Sequence, residues 1–184
     1  MKRLITSMRS FRDDERGSIA LETVIIIPVL FWAYLAMFAI FDSYRQNSVN
    51  QKAAYTLGDI ISRETTPLDA DYVYGAREVL AYLTGNPESD VSVRITSVKY
   101  DAENDVYERD WSRAQGSHPA LTESQVALLA PALPTMPDNE HVMIVETFVD
   151  YNPPFSVGLN DREIKNFVFT RPRYAPRVLY AEGT

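Results

Sequence analysis

The sequence contains no cysteine. That excludes disulfides, thiolate metal sites and a thiol nucleophile. Histidine is almost as scarce: the two present leave little material for a zinc site, and neither has a second ligand at a recognisable spacing. His118 precedes Pro119 in a loop-like stretch and His141 opens a strand-like one, so both read as exposed structural histidines rather than as a general base or metal ligand. The seven glycines form neither a Gly-x-Ser-x-Gly elbow nor a phosphate-cradling loop. Asp69-Ala70-Asp71 and the run from Asp101 to Asp105 lack the alternating ligands and central glycine of a calcium loop and read as solvated turns. Positive charge is in deficit, with a formal net charge of −7, which argues against nucleic acid as a partner because a phosphate backbone requires a basic face. Nothing here supports an enzyme or implies a cofactor.

What the chain does have is one long apolar run. Between Ser18 and Phe41 the only charged residue is Glu22. An α-helix rises about 1.5 Å per residue, so roughly 20 such residues cross a hydrocarbon core of about 30 Å. Residues 18–41 are therefore read as one transmembrane helix. Pro28 lies inside it and removes one backbone hydrogen bond, which predicts a local bend. Glu22 lies about one turn in. A carboxylate at mid-span costs roughly 2–3 kcal/mol to insert, less near the interface, so an intramembrane acid reads as functional.

The flanks give a direction. Lys2, Arg3, Arg9, Arg12 and Arg16 precede the span, whereas Asp42 follows it with only Arg45 and Lys52 nearby. By the positive-inside rule the N-terminus stays in the cytoplasm and the remainder is exported. A cleaved signal peptide would have a shorter apolar region followed by a small-residue cleavage site, and neither is seen. The map is then a leader over residues 1–17, the span over 18–41 and one exported domain over 42–184.

Helical spacing continues from Asp42 to about Arg63, with Val49, Ala53, Leu57 and Ile60 on one stripe, until Thr65-Thr66-Pro67 stops it. A second helix is predicted over about Leu68 to Leu83, burying Leu68, Tyr72, Ala76, Val79, Leu80 and Leu83 and closed by Gly85-Asn86-Pro87. Val91, Val93 and Ile95 alternate with polar residues, as do Tyr107 and Trp111, around the turn-forming Asp101 to Asp105, which predicts a hairpin. Thr122 should cap a short helix to Leu129. His141 to Tyr151 is apolar on both parities and so reads as a central strand covered on both faces. Glu163 to Arg171 makes another strand, and Arg171 to Pro176 an extended tail. The fold class is α+β: a long N-terminal helix on a roughly four-stranded antiparallel sheet with one or two extra helices.

The opening motif carries a resemblance. A short basic leader, Arg16-Gly17 before a small residue, glutamate at the fifth position after the glycine and a continuous apolar helix leading into an exported domain resemble prepilins of the type IV filament superfamily. More narrowly, Asp14 to Ser18, Glu22, and the Val24 to Leu30 run with Pro28 look like the opening of TadE-like proteins, minor pseudopilins of the tight-adherence (Tad/Flp) type IVb pilus system. Val145 to Tyr151 and Phe169 to Arg173 look TadE/TadG-like as well. The resemblance implies a pilin-like fold and cleavage between Gly17 and Ser18 by an inner-membrane prepilin peptidase. It implies that Glu22 pairs with the Ser18 amine of a neighbouring subunit, and that the partners are other pseudopilins, the major Flp pilin and the inner-membrane assembly platform. Thr23 stands where major pilins of this system usually have an aromatic, which points to a minor component. The rival is an uncleaved, TadG-like single-pass anchor with a periplasmic binding domain. A periplasmic hydrolase is a third and weaker reading, since no cleft of carboxylates or histidine is announced.

Overall fold

The computed structural model describes residues 16–181. The expected leader residues Lys2, Arg3, Arg9 and Arg12 lie outside the described residues. The fold is α+β: a long apolar N-terminal helix, a four-stranded antiparallel sheet and two further helices. Two compact units share the chain, residues up to Asp42 with Pro153–Asn160, and Ser43–Asn152 with Asp161 onward.

Helix α1 runs over Arg16–Ser62 and continues through Pro28. It ends where Arg63 and Glu64 donate to the carbonyls of Ile60 and Ile61, a tightened last turn, and where the Arg173 N–H donates to the Ser62 carbonyl at 2.7 Å. That bond satisfies one of the carbonyls that every helix C-terminus leaves without an intrahelical partner. Within the second unit α1 buries Ala53, Ala54, Leu57 and Ile61. Of the expected stripe Ala53 and Leu57 are buried, whereas Val49 is half-buried and Ile60 is 40% exposed, its place taken by Ile61. Gly58 lies on the same side, close to the last strand of the sheet: a Cβ there would lie 3.2 Å from Val168 Cγ1.

Helix α2 spans Ala70–Thr84. Asp69 caps it by accepting from the Tyr72 N–H at 2.8 Å, and Gly85 ends it in the left-handed conformation at φ 70°. It therefore starts later than the sequence pattern suggests, leaving Leu68 to bridge Tyr180 in the C-terminal tail. The buried residues are Val73, Ala76, Leu80, Ala81 and Thr84. Tyr72 is only partly buried, and Val79 and Leu83 are turned outward, correcting the expected stripe.

Strands β1 (Val91–Asp101), β2 (Val106–Gln115), β3 (His141–Tyr151) and β4 (Arg162–Thr170) stand in the order β2-β1-β3-β4, every pair antiparallel. The β1–β2 turn is built by Asp101, whose carboxylate accepts from the Glu103 and Asn104 N–H groups, and by Asp105 at φ 54°. Aspartate tolerates that left-handed geometry better than most residues. The hairpin carries a bulge: Ser97 faces Trp111 and Val98 faces Arg109, leaving Asp110 as the extra residue. Tyr107 and Trp111, expected on one face, consequently join opposite cores.

One face of the sheet (Val91, Val93, Ile95, Trp111, Met143, Val145, Val149) packs on α1 and α2. The other (Val98, Val142, Ile144) is covered by Leu121, Val126, Leu133 and Met136 around helix α3, Glu123–Leu129. Thr122 and Gln125 form a reciprocal capping box on α3. β3 is central and buried on both parities, as its composition indicates.

Two substitutions on α1 separate its halves. Leu57→Ala, at 2% exposure, should lower the stability of the full-length protein in detergent by about 2–5 kcal/mol. Ile27→Ala, at 58% exposure, should change the same near-ultraviolet circular dichroism unfolding curve by less than about 0.5 kcal/mol.

Candidate functional site

The N-terminal half of α1 has no core of its own to fill. Fifteen large apolar side chains from Ile19 to Phe41 are each between 46% and 71% exposed. They surround the helix, with Ala39 as the buried exception. A helix apolar on all sides belongs in a protein interior or a bilayer. Burial of even half of each side chain is worth about 1 kcal/mol, so together they approach the whole net stability of a domain, about 5–15 kcal/mol. By length and composition this is the one described helix able to cross a membrane, as a single-pass protein or a signal sequence would require.

The Gly17–Ser18 bond lies at the start of the described part of this helix, which begins at Arg16. Glu22 follows one turn later. Thr23 is accommodated in this apolar setting by donating its hydroxyl to the Ile19 carbonyl at 2.7 Å. Gly17, Ser18, Glu22 and Pro28 thus share one continuous helix, and no folding back of the chain is needed to bring them together.

The second unit holds polar features that sequence reading did not find. Arg94 on β1 and Glu146 on β3 face each other in register and form a two-pronged ion pair, Nε–Oε2 2.6 Å and Nη2–Oε1 2.7 Å, with both side chains 11% exposed. Arg94 also donates to the Pro119 carbonyl at 3.0 Å. The alternation of β1 marks Arg94 as belonging to one face, but nothing local in the sequence names its partner.

His118 is not exposed as expected. Its ring stacks on Phe148 at 3.7 Å, Nε2 lies 3.2 Å from Glu163 Oε1, and Nδ1 lies 3.2 Å from Ser117 Oγ. Serine, imidazole and carboxylate in that order suggest a proton relay. However, Ser117 Oγ is shared with Ser92 at 3.0 Å and the imidazole face is covered by Phe148, an arrangement that fastens the loop after β2 to β1, β3 and β4. The turn before it needs Gly116, at φ 111°, where a Cβ would strike Ser92.

His141 is also largely enclosed, opposite Lys99 in the β1–β3 register, with Nδ1 3.7 Å from Asp110 Oδ2 and without a hydrogen bond. Lys99, Asn139, Pro176 and Arg177 line a concavity of about 390 Å³ beside it. The acidic stretches are turn and cap residues: Asp69 caps α2 and Asp101 folds the hairpin turn, its carboxyl held below the usual range by hydrogen bonds from Asn104. Among the described residues no group of three or more His, Asp or Glu side chains is arranged to hold a metal ion.

Comparison of the chain with protein-family models, with curated proteins and with solved structures gives no significant match.

Burial pushes the His141 pKa below its ordinary 6.5; Asp110 opposes this, and Arg177 and Lys99 reinforce it. A depressed value means that the unfolded chain binds the proton more readily, so the stability contributed by neutral His141 is complete above about pH 6.5 and is lost as pH falls through its folded value. Urea midpoints of the full-length wild type and His141→Gln should therefore converge between pH 8 and pH 5. A gap constant with pH would show that His141 does not titrate in this way.

Proposed function

We propose that the chain is a TadE-like minor pseudopilin that assists biogenesis of a Tad/Flp adhesive pilus, anchored in the inner membrane with its domain in the periplasm. The observation that carries this reading is glycine followed five residues later by glutamate at the border of the only apolar run, on a helix exposing apolar surface on every side. A short basic leader ahead of it and an α+β domain behind it support the same reading. The roles follow from chemistry. A prepilin peptidase cuts after Gly17, freeing the Ser18 amine. Glu22 offers its carboxylate to that amine on a neighbouring subunit, since two opposite charges enter lipid together far more readily than either alone. The exposed faces of the span meet lipid and, on assembly, the spans of other pilins, and Pro28 gives the helix a place to bend.

The leading alternative is an uncleaved TadG-like anchor with a periplasmic binding domain. Processing distinguishes the two. Replacing Gly17 with phenylalanine should leave a longer precursor in the membrane of cells with an active prepilin peptidase; identical mobility of wild type and variant on immunoblots would favour the uncleaved anchor. A periplasm-dependent reporter fused after Thr184 should be active, and activity of a cytoplasmic reporter there would overturn the orientation.

Glu22→Gln preserves shape but removes the charge. The domain should fold, cleavage at Gly17 should persist, and co-purification with other pilins should fall by tenfold or more. Stranding one partner of a buried ion pair costs about 3–5 kcal/mol, and about 1.4 kcal/mol already shifts an association equilibrium tenfold. Unchanged piliation would show Glu22 to be only a helix-end residue.

A further inference from the structure

The β3–β4 connection has a composition unlike that of an ordinary surface loop. Pro153-Pro154-Phe155-Ser156-Val157-Gly158-Leu159-Asn160 contains no charge, whereas Asp150, Asp161, Arg162 and Glu163 crowd its two ends. Connecting loops run over the surface and are usually polar. This one belongs to the same compact unit as the apolar half of α1. Phe155 meets Phe38 edge to face, with ring centroids 5.8 Å apart, yet remains 39% exposed, and Phe38 remains 50% exposed. The two rings form one apolar surface with an open side.

The depth of that surface follows from α1. Phe38 precedes Asp42, the first charge after the run, by one helical turn, about 6 Å along the axis. The interfacial layer on each side of a bilayer is of similar thickness, about 5–8 Å. Phe155, beside Phe38, therefore lies at the level where headgroups meet acyl chains. The loop is shaped for that layer: two prolines limit its backbone freedom and remove two N–H donors, and the Val157 N–H is satisfied internally by the Phe155 carbonyl at 3.0 Å.

We propose that Pro153–Asn160 is a second membrane-contact site, a loop that inserts Phe155 into the outer boundary of the same leaflet that the end of the span crosses. Its ligand is the lipid surface itself, engaged by apolar contact at the headgroup–acyl boundary. Continuity with the apolar run selects lipid over a protein partner: Phe38 itself belongs to that run, next to the exposed Met37 and about one turn before the exposed Phe41. The inference rests on the span reading. It adds that the chain is held at the membrane by two segments distant in sequence.

The test uses the full-length protein in proteoliposomes. Because the chain has no cysteine, Ser156→Cys supplies a single attachment point for the environment-sensitive dye NBD, and Glu103→Cys in the acidic hairpin turn supplies a control. Nitroxide lipids labelled near the headgroup or deep in the acyl chain serve as quenchers, and deep quenching of tryptophan emission reports Trp32 in the same samples, since Trp111 is in the domain core. The Ser156 label should be blue-shifted and quenched at least twofold more than the Glu103 label by the shallow nitroxide. Adding Phe155→Asp should abolish the difference. A Ser156 label that behaves like the Glu103 label while tryptophan is still quenched overturns the loop assignment alone. A blue-shifted label insensitive to both nitroxides means that protein, such as a second copy, covers the loop, which also overturns it. Unquenched tryptophan overturns the span and the loop together.

Discussion

One helix has to satisfy two solvents, and the rest of the structure depends on how it does so. Along α1 the side chains change from apolar on all sides, Ile19 to Phe41, to a single stripe of Ala53, Leu57 and Ile61 that fills a core with α2 and the sheet. The first half can be stable only where water is excluded, because exposure of fifteen large apolar side chains would offset the stability of a whole domain. The second half uses small residues to let a backbone approach the sheet, as Gly58 does against Val168.

Much of this was legible in the sequence because it is local. The apolar run, its single acid, the caps at Thr122 and Gly85, the turn at Asp101 to Asp105 and the two-sided burial of β3 are each encoded within a few consecutive residues. What escaped is set by pairing across the fold. On α1 the expected Ala53 and Leu57 are buried but Ile61 takes the place of Ile60, and of the stripe expected for α2 Leu68, Ala76 and Leu80 are buried but Val73 takes the place of Tyr72, because the edge of each stripe is set by what packs against it. The bulge at Asp110 moved Trp111 to the face opposite Tyr107, where its indole N–H donates to the Val178 carbonyl at 2.9 Å and fixes the C-terminal tail. No local pattern announces a bulge.

The candidate sites divide along the same line. Gly17, Ser18, Glu22 and Pro28 lie close together on one helix, so the sequence alone groups them. Arg94 with Glu146, and His118 with Phe148 and Glu163, are brought together only by the sheet order β2-β1-β3-β4 and the loops it places. The histidines illustrate the point: each looks like an exposed loop or strand-end residue, yet His118 is stacked on an aromatic ring and His141 is enclosed beside Lys99 and Asp110.

On the proposed function, the apolar half of α1 remains in the mature protein as a span whose first residue is made by cutting after Gly17. The intact mass of the wild-type protein extracted from membranes of cells that express a prepilin peptidase tests it most directly. The account predicts a chain beginning at Ser18, shorter than the translated sequence by its first 17 residues and retaining Glu22 and everything after it. A mass corresponding to the full chain from Met1, or to a chain that has lost the whole apolar run, would contradict it.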